Sequence, residues 1–354
     1  MKNKKFTIGL ALLIAGSVVL TNCTKNKTNK PVDPDTDVTA AEDVTRMLKI
    51  ITDIGDVVGQ TCNNDGFLLG FQSYSPLSKT QGTVTVNSTA AVVTSTASQT
   101  YDVVFGPFGT STIGKDGVIK QGIIHMDYSA TSLPTSLPAT LFREAGYYVK
   151  VTSPTNLIFD GDTVLINSMN IFNSTDIGFP LTSPFTPSLG VNIKWKYTVN
   201  ITVHKQDGKT TKFSTTNLLR TLLNTNNSTI PMQAGATVNT FTVYPKPYNS
   251  QLYLQKEYVS YSGDATGYLA NGDPFVMNIP SEFAITQNFN NSPEAFVSVS
   301  GAFISPERHP FLSGVMTVDP GTKTKRKVDF GMPDVVDYNA KVTVDGITYG
   351  VDIK

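Results

Sequence analysis

Apolar and polar residues alternate strictly over residues 193–203, and this pattern predicts a half-buried β-strand. Lys, Thr and Asn separate six apolar side chains, which are Ile193, Trp195, Tyr197, Val199, Ile201 and Val203. Because successive side chains of a strand point to opposite faces, the run has one dry and one wet face. Asp207-Gly208 follows and is typical of a hairpin turn, with Thr211, Phe213 and Thr215 on the return strand.

The same alternation recurs at the C-terminal end of the chain. Val342 and Val344 lead into Asp345-Gly346, after which Ile347, Tyr349, Val351 and Ile353 form a return strand. We therefore expect a mainly β protein with antiparallel, hairpin-rich sheets, arranged as a sandwich or as one extended sheet. Residues 215–226 leave two interpretations open. Their leucines have helical spacing, but Thr and Asn neighbours favour an extended segment: Leu218, Leu219, Leu222 and Leu223.

Only one segment has a convincing helical pattern, and it lies near the N-terminus. Thr39-Ala40-Ala41-Glu42 has the form of a capping box, which places a helix start there. Apolar residues then follow at helical spacing, and Gly59 is the expected stop. We interpret this apolar stripe as core packing rather than as a binding face: Val44, Met47, Leu48, Ile51, Ile54 and Val58.

The first 22 residues are predicted to be a lipoprotein signal peptide. Three lysines precede an uncharged, mostly apolar run that ends at Leu20, and Leu20-Thr21-Asn22-Cys23 resembles the bacterial lipobox. The resemblance implies cleavage before Cys23 and a diacylglycerol on its sulfur. Residues 23–38 are polar and proline-containing, which predicts a disordered tether. Residues 39–354 would form the β-rich domain, with a possible division near residues 178–190, where three prolines and two glycines cluster.

Charge and cysteine content narrow the classes of partner. Removal of residues 1–22 would leave 25 basic and 28 acidic residues, a net charge of −3. This balance is too small and mixed to indicate a nucleic-acid partner. With Cys23 acylated, Cys62 would have no intramolecular partner. It is either a small buried residue at a helix end, which we favour, or a reactive thiol.

Motifs for catalysis, metal binding and cofactor binding are not found. His125, His204 and His309 are far apart and lack metal-ligand spacing. Asp33, Asp35 and Asp37 have the spacing of a calcium loop, but Val38 and Val44 replace its glycine and its glutamate. Carboxylates for glycoside cleavage are available but unmarked by any motif: Asp160, Asp162, Glu257 and Glu282. We assign no catalytic, metal or cofactor-binding residue, expect no cofactor, and leave enzymatic activity open.

Several short segments together resemble one group of proteins. They read YDVVFG at 101–106, KDGVIKQG at 115–122, VSYSG at 259–263, HPFLSG at 309–314, KVDFG at 327–331 and VDGITY at 344–349. In this order they resemble uncharacterised β-rich outer-membrane lipoproteins of Bacteroidota. The resemblance implies a location and a hairpin-rich fold, and it supplies no catalytic residues. Basic residues after Cys23 favour the periplasmic face over the cell surface, where an acidic stretch is usual.

Two functions remain open at this point. The first is a non-catalytic envelope protein, structural or binding another envelope protein through its sheet faces, with the membrane contacted through the lipid. The second is a glycan-binding or glycan-hydrolysing lipoprotein, supported by the supply of aromatic rings, which pack on sugar faces. The exposure of Trp195 would distinguish the two functions. A sugar-binding Trp195 would be exposed, whereas the alternating pattern predicts that Trp195 is buried in the core.

Overall fold

The computed structural model describes the following residues: 35, 37–63, 72–74, 91–96, 100–106, 111–113, 118–127, 148–173, 194–223, 256–290, 311, 313–321, 323–331 and 339–352. Within Asp37–Lys354, which is one compact unit, the described part contains one α-helix, one short 3-10 turn and β-strands. The predicted fold class, mainly β with a single N-terminal helix, is confirmed. The signal peptide, Cys23, the tether up to residue 34 and the possible division at 178–190 lie outside the described residues.

The elements follow one another in this order: α1 Thr39–Asn63, β1 Gln72–Tyr74, β2 Ala91–Thr96, β3 Thr100–Phe105, β4 Ser111–Ile113, β5 Ile119–Asp127, β6 Tyr148–Thr152, β7 Leu157–Phe159, β8 Asp162–Asn173, β9 Lys194–His204, β10 Thr210–Leu223, β11 Lys256–Tyr268, β12 Pro274–Ile279, the 3-10 turn Ser281–Phe283, β13 Ile285–Asn290, β14 Val315–Asp319, β15 Arg326–Asp329, β16 Asn339–Val344 and β17 Ile347–Asp352.

The described strands belong to one antiparallel, hydrogen-bonded sheet. Most strands pair with their neighbours in sequence, and the central run is β8, β9, β10 and β11. On one side the sheet continues through β6 and β7 to β5, β3 and β2. On the other side it continues through β12 to β14, β15, β16 and β17. Residues before and after 178–190 therefore pair in the same sheet.

The helix α1 lies against the inner face of this sheet and is buried on all sides. Between Thr39 and Gly59 only Thr39, Glu42, Arg46 and Asp56 retain appreciable exposure. The predicted apolar stripe is in the core, as expected, and polar residues of the opposite side are buried as well. The helix begins at Thr39 as predicted, and Asp37 Oδ1 accepts a capping hydrogen bond from the Thr39 amide at 3.0 Å. It runs past the expected stop at Gly59 to Asn63.

The predicted hairpin around Asp207-Gly208 is confirmed. In β9 the odd-numbered residues from Trp195 to Val203 are buried, while the even-numbered residues are partly or fully exposed. β10 returns along β9, and Thr211, Phe213 and Thr215 are buried on the same face. Gly208 has a φ of +83°, a backbone conformation that glycine adopts without strain. The predicted C-terminal hairpin is also present, and there a two-residue loop, Asp345-Gly346, joins β16 to β17 with both residues at positive φ.

Residues 215–223 are strand and not helix, so the helical alternative for 215–226 is wrong over the described part of that segment. One extra residue of β10 interrupts its pairing between Thr215 and Leu218, which is a β-bulge. The bulge shifts the buried phase from odd to even positions, so that Leu218 and Arg220 face inward. The backbone oxygen of Asn217 there approaches Gly263 so closely that a Cβ would lie 1.9 Å away. A bulged strand therefore produced leucine spacing that imitates a helix.

The helix α1 is 25 residues long but too polar to cross a membrane, and the described part of the chain holds no other helix of sufficient length.

Candidate functional site

A patch of polar and aromatic side chains lies on the outer face of β3, β5, β6 and β8. We call it the outer patch, and its residues are Asp102, His125, Asp127, Tyr148, Lys150, Asn170 and Phe172. Cross-strand pairing brings them together, because Asp102 pairs with His125, Asp127 with Lys150, and Lys150 with Asn170. All of them occupy positions that alternate with buried residues such as Ile124, Met126 and Val149. The outer patch is thus held on regular strands.

Two aromatic side chains form one row of the outer patch. Tyr148 of β6 lies directly opposite Phe172 of β8, and both are partly exposed. The Tyr148 hydroxyl donates a 2.6 Å hydrogen bond to Asn170 Oδ1, which fixes the orientation of the ring. Partial burial, together with the negative charge of Asp127, raises the pKa of Tyr148, so its hydroxyl remains a donor at neutral pH.

His125 and Asp102 form a second row. His125 Nδ1 lies 2.6 Å from Asp102 Oδ1, and the two side chains are 33% and 36% exposed, so both are accessible from solvent. A carboxylate on one ring nitrogen sets the tautomer and leaves the other nitrogen available to a ligand. Among the described residues Asp102 is the only hydrogen-bond partner of this imidazole. In the described part of the chain no hydroxyl or thiol forms a hydrogen bond with this imidazole, as the nucleophile of a hydrolytic triad would, and Thr152 lies opposite His125 in the pairing of β5 with β6.

A separate set of charged side chains forms pairs that include residues of the helix. Asp43 accepts hydrogen bonds at 2.9 Å from Lys205 Nζ and from the Ala270 amide. Although burial opposes the charged form of Lys205, its hydrogen bond with Asp43 raises the pKa of the ammonium group. Arg46 Nε lies 2.5 Å from Asp162 Oδ2, and Asp162 Oδ1 also accepts from the Gln206 amide at 3.1 Å. These pairs join the first turns of α1 to the sheet.

A second buried cluster lies further along α1. Arg220 NH2 is 3.5 Å from Asp56 Oδ1, and the Arg220 guanidinium lies over the Trp195 ring at 5.2 Å. Tyr197 and Tyr261 pack nearby with ring centroids 6.5 Å apart. Burial, followed by the negative charge of Asp56, raises the pKa of Tyr261 well above its ordinary value, although the charge of Arg220 opposes the shift. Arg220, Trp195, Tyr197 and Tyr261 are buried and Asp56 is largely buried, which indicates a role in holding the helix.

The helix approaches this cluster closely because Gly55 has no side chain. A Cβ at Gly55 would lie 2.6 Å from Tyr197 Oη, which is below any ordinary contact distance. Gly55 therefore allows α1 to lie directly against the tyrosine of β9. Trp195 is 0% exposed, so the core interpretation of this residue is confirmed and a sugar-binding role for it is excluded.

Of the carboxylates considered as glycosidase candidates, Asp160 and Asp162 belong to one hairpin turn and Glu282 lies in the 3-10 turn. Asp160 lies in the turn before β8, where its side chain accepts from the Ile119 amide at 2.8 Å. Asp162 forms an ion pair with Arg46. Glu282 is exposed in the 3-10 turn beside Ser281, and the side chain of Glu257 lies outside the described residues. His204 is on the wet face of β9 and contacts the Thr210 hydroxyl at 2.9 Å.

The other predicted positions lie mostly outside the described residues. His309 and Cys23 lie outside the described residues, and so does the side chain of Cys62, although its backbone is part of α1. Asp37 is paired with Lys323 at 2.6 Å, and Asp33 lies outside the described residues. In the described ranges, no group of three or more His, Cys, Asp or Glu side chains is placed to hold a metal ion.

The outer patch was not identified from the sequence. Its signal was available, because Tyr148 and Phe172 are aromatic residues at wet positions of alternating strands, where Thr, Lys and Asn are usual. The convergence of Asp102 with His125 required the pairing of β3 with β5, which a single sequence does not specify. No family model, no curated protein and no solved structure matches this chain.

Proposed function

We propose that this protein is a non-catalytic, lipid-anchored protein of the cell envelope that binds a partner through the outer face of its sheet. The observation that carries the proposal is the outer patch, where accessible donors, acceptors and aromatic rings lie on regular strands. Rigid strands hold binding groups in place more precisely than loops do. The outer patch shares no residue with the charged pairs that hold α1.

The location in this proposal rests on the sequence. The apolar run ending at Leu20 and the cysteine three residues later support an acylated Cys23. Two or more acyl chains give stable anchoring, where a single chain is marginal. The stretch Thr24-Lys25-Asn26-Lys27 is basic, which supports the periplasmic face of the outer membrane.

Removal of the acylated cysteine tests the anchor. We expect Cys23→Ser to move the protein from the membrane fraction to the soluble fraction of the envelope, while the wild-type protein resists a salt wash. Cys62→Ser is the matched control, because it removes the other cysteine and leaves the lipidation site intact. If Cys23→Ser remains bound to membranes after the wash, the lipid anchor is refuted.

A glycan is the second candidate for the bound partner, and the aromatic row favours it. Tyr148 and Phe172 are adjacent to Asn170 and Lys150, and rings flanked by amide and charged groups suit a sugar face and its hydroxyls. Asp102 and Asp127 also occupy diagonal positions on β3 and β5. That arrangement implies a separation of about 7–8 Å, within the range that inverting glycosidases use, so this alternative includes hydrolysis.

Two matched aromatic substitutions test the glycan alternative. Phe172→Ser removes a ring of the outer patch, and Tyr268→Ser removes an aromatic ring of β11 that is 53% exposed and lies elsewhere on the sheet. With a panel of neutral oligosaccharides and peptidoglycan fragments as probes, calorimetry should show binding that Phe172→Ser abolishes and Tyr268→Ser retains. Equal binding by both variants, or no binding by the wild-type protein, would reject this alternative. Sugar release that Asp127→Asn abolishes would identify hydrolysis.

A further inference from the structure

The last strand, β17, forms an edge of the described sheet. In the described pairings β17 bonds to β16 alone, whereas β9 and β10, for comparison, have a neighbouring strand on each side. Thr348 and Gly350 of β17 are exposed, and no atom lies within 4 Å of the position that a Cβ of Gly350 would take. Residues 347–351 are therefore accessible to solvent, and we call them the open edge.

The backbone of the open edge directs hydrogen-bonding groups away from the sheet. The two-residue loop with positive φ makes its flanking residues, Val344 and Ile347, a hydrogen-bonded pair, and such pairs alternate along an antiparallel ladder. The N–H and C=O groups of the odd-numbered residues of β17 therefore face β16. Those of Thr348 and Gly350 face the open side, where another strand can bond to them.

The side chains of the open edge leave apolar surface exposed on the inner face of the sheet. Ile347 and Tyr349 lie opposite Val344 and Val342, both of which are buried. Ile347 is nevertheless 41% exposed, and Tyr349 is only partly buried although it packs against the core. The inner layer is thus incomplete at this edge, and one more strand would cover it.

The sequence of the open edge lacks the features that normally keep edge strands apart. Natural edge strands carry lysine or another charge, proline, or a bulge. The segment ITYGV contains no charge and no proline, and its register with β16 is regular. Around Tyr349 the segment also has the same pattern in both directions, with a small residue on each side and an aliphatic residue beyond it. Such a symmetric segment suits antiparallel pairing with a second copy about a two-fold axis.

We propose that β17 is an interface between two copies of this protein, which pair antiparallel along their open edges with the two-fold axis at Tyr349. Thr348 of each copy lies opposite Gly350 of the other, and these residues exchange backbone hydrogen bonds. Ile347 lies opposite Val351, so apolar side chains meet on the inner face. Because the segment is uncharged, the symmetric pairing places no like charges opposite each other. The surface involved is distinct from the outer patch.

The small size of the contact sets its expected strength. The pairing uses residues 347–351 of each copy, whereas stable interfaces usually use about 20–30 residues a side. We therefore expect a dimer that depends on protein concentration, with a dissociation constant between about 1 and 100 μM.

Sedimentation equilibrium of residues 23–354 with Cys23→Ser tests for this dimer, in a chain that contains the whole compact unit Asp37–Lys354. From about 1 to 200 μM the protein should pass from monomer to dimer. Ile347→Lys places a charge against the second copy and should weaken the dimer at least about tenfold. Val276→Lys is the matched control, because Val276 is 52% exposed in β12, which has a neighbouring strand on each side, and it should dimerise normally.

Two single-cysteine variants test the register, in a background that carries Cys23→Ser and Cys62→Ser. Tyr349→Cys would face its own copy in a non-hydrogen-bonded pair, where Cα atoms are about 4.5 Å apart and a disulfide fits. Ile347→Cys would be displaced from its own copy by about four residues, or about 13 Å, which a disulfide does not span. Under mild oxidation we expect a covalent dimer to form at least about tenfold faster at position 349 than at position 347.

Each alternative outcome overturns the proposal. A chain that stays monomeric up to about 200 μM would rule out self-pairing and leave the open edge to a strand of another protein. A dimer that Ile347→Lys retains at wild-type strength would show that the copies meet through another surface. Equal or reversed cross-linking at positions 347 and 349 would refute the two-fold register. Matching far-UV circular dichroism of the two lysine variants controls for unfolding, and the cross-linking decides the matter if Ile347→Lys fails to fold.

Discussion

The strand β9 and the helix α1 both follow clear periodic patterns, but the structure uses the two patterns differently. In β9 the dry and wet faces of the sequence become the buried and exposed faces of the strand. In α1 the apolar stripe is buried, and so are Asp43, Lys49 and Asp53 outside it. The difference arises because a strand at a sheet surface meets solvent on one side. The helix lies in the interior, with only Thr39 and Glu42 of its described side chains exposed.

Burial of charged residues has a cost that must be offset by partners. Moving an ionised group from water to the interior costs several kcal/mol unless it is paired and hydrogen-bonded. The structure supplies such partners at Asp43 with Lys205, at Arg46 with Asp162 and at Arg220 with Asp56. The polar side of α1 therefore fixes the position of the helix in the sheet, while the apolar side supplies hydrophobic stabilisation.

The largest loss of stability is expected in β9, whose dry face stabilises the fold by burying apolar surface area. Trp195 is fully buried and its ring is covered by the Arg220 guanidinium. We expect Trp195→Ala to lower the free energy of unfolding by roughly 3–5 kcal/mol, because it leaves a large cavity. Urea unfolding measures the loss. Lys196→Ala, on the adjacent wet position, should change stability by about 0.5 kcal/mol or less. A wild-type midpoint for Trp195→Ala would show that the ring contributes nothing to the core.

The next largest loss of stability is expected in α1, where substitutions of two neighbouring acidic residues, one buried and one exposed, can be compared. Asp43 is buried with two hydrogen bonds, whereas Glu42 is exposed. We expect Asp43→Ala to destabilise the protein by about 2–4 kcal/mol, because Lys205 and the Ala270 amide lose their acceptor in a buried site. Glu42→Ala should change stability by about 0.5 kcal/mol or less. Equal effects in thermal unfolding would mean that the polar side of the helix is not held by this pair.

The smallest effect at neutral pH is expected at Tyr261, a buried polar group of β11. Its hydroxyl has no hydrogen-bond partner in the described part of the chain, so Tyr261→Phe should change stability by about 1 kcal/mol or less. The raised pKa of Tyr261 predicts a pH dependence. The unfolded state loses the tyrosine proton near pH 10 and the folded state retains it, so wild-type stability falls as the pH rises above about 10.

Unfolding midpoints at pH 7 and above pH 10 check this sign. The wild-type protein should lose more stability than Tyr261→Phe over that interval, while other tyrosines and lysines affect both proteins equally. A larger alkaline loss in Tyr261→Phe than in the wild-type protein would contradict the raised pKa.

Much of the local structure could be read from the sequence, whereas the candidate site could not. Alternation identified β9 and both Asp-Gly hairpins, since turn type and strand phase depend on nearby residues. The segment 215–226 stayed ambiguous because the bulge at Thr215–Leu218 changes the phase, and the bulge depends on contact with Gly263 in another strand. The outer patch depends on pairing between strands far apart in sequence, as with Asp102 and His125.

The sequence by itself determined where the helix begins, which face of β9 is dry and where the hairpins turn. These features depend on the periodicity of the backbone and on the conformational preferences of a few adjacent residues. The tertiary structure decided that Arg326 is buried against the carbonyl of Asp37, that the polar side of α1 is enclosed, and which wet-face residues meet across strands. Those outcomes depend on contacts between distant segments, because a charge is tolerated in the interior only where another part of the chain brings its partner.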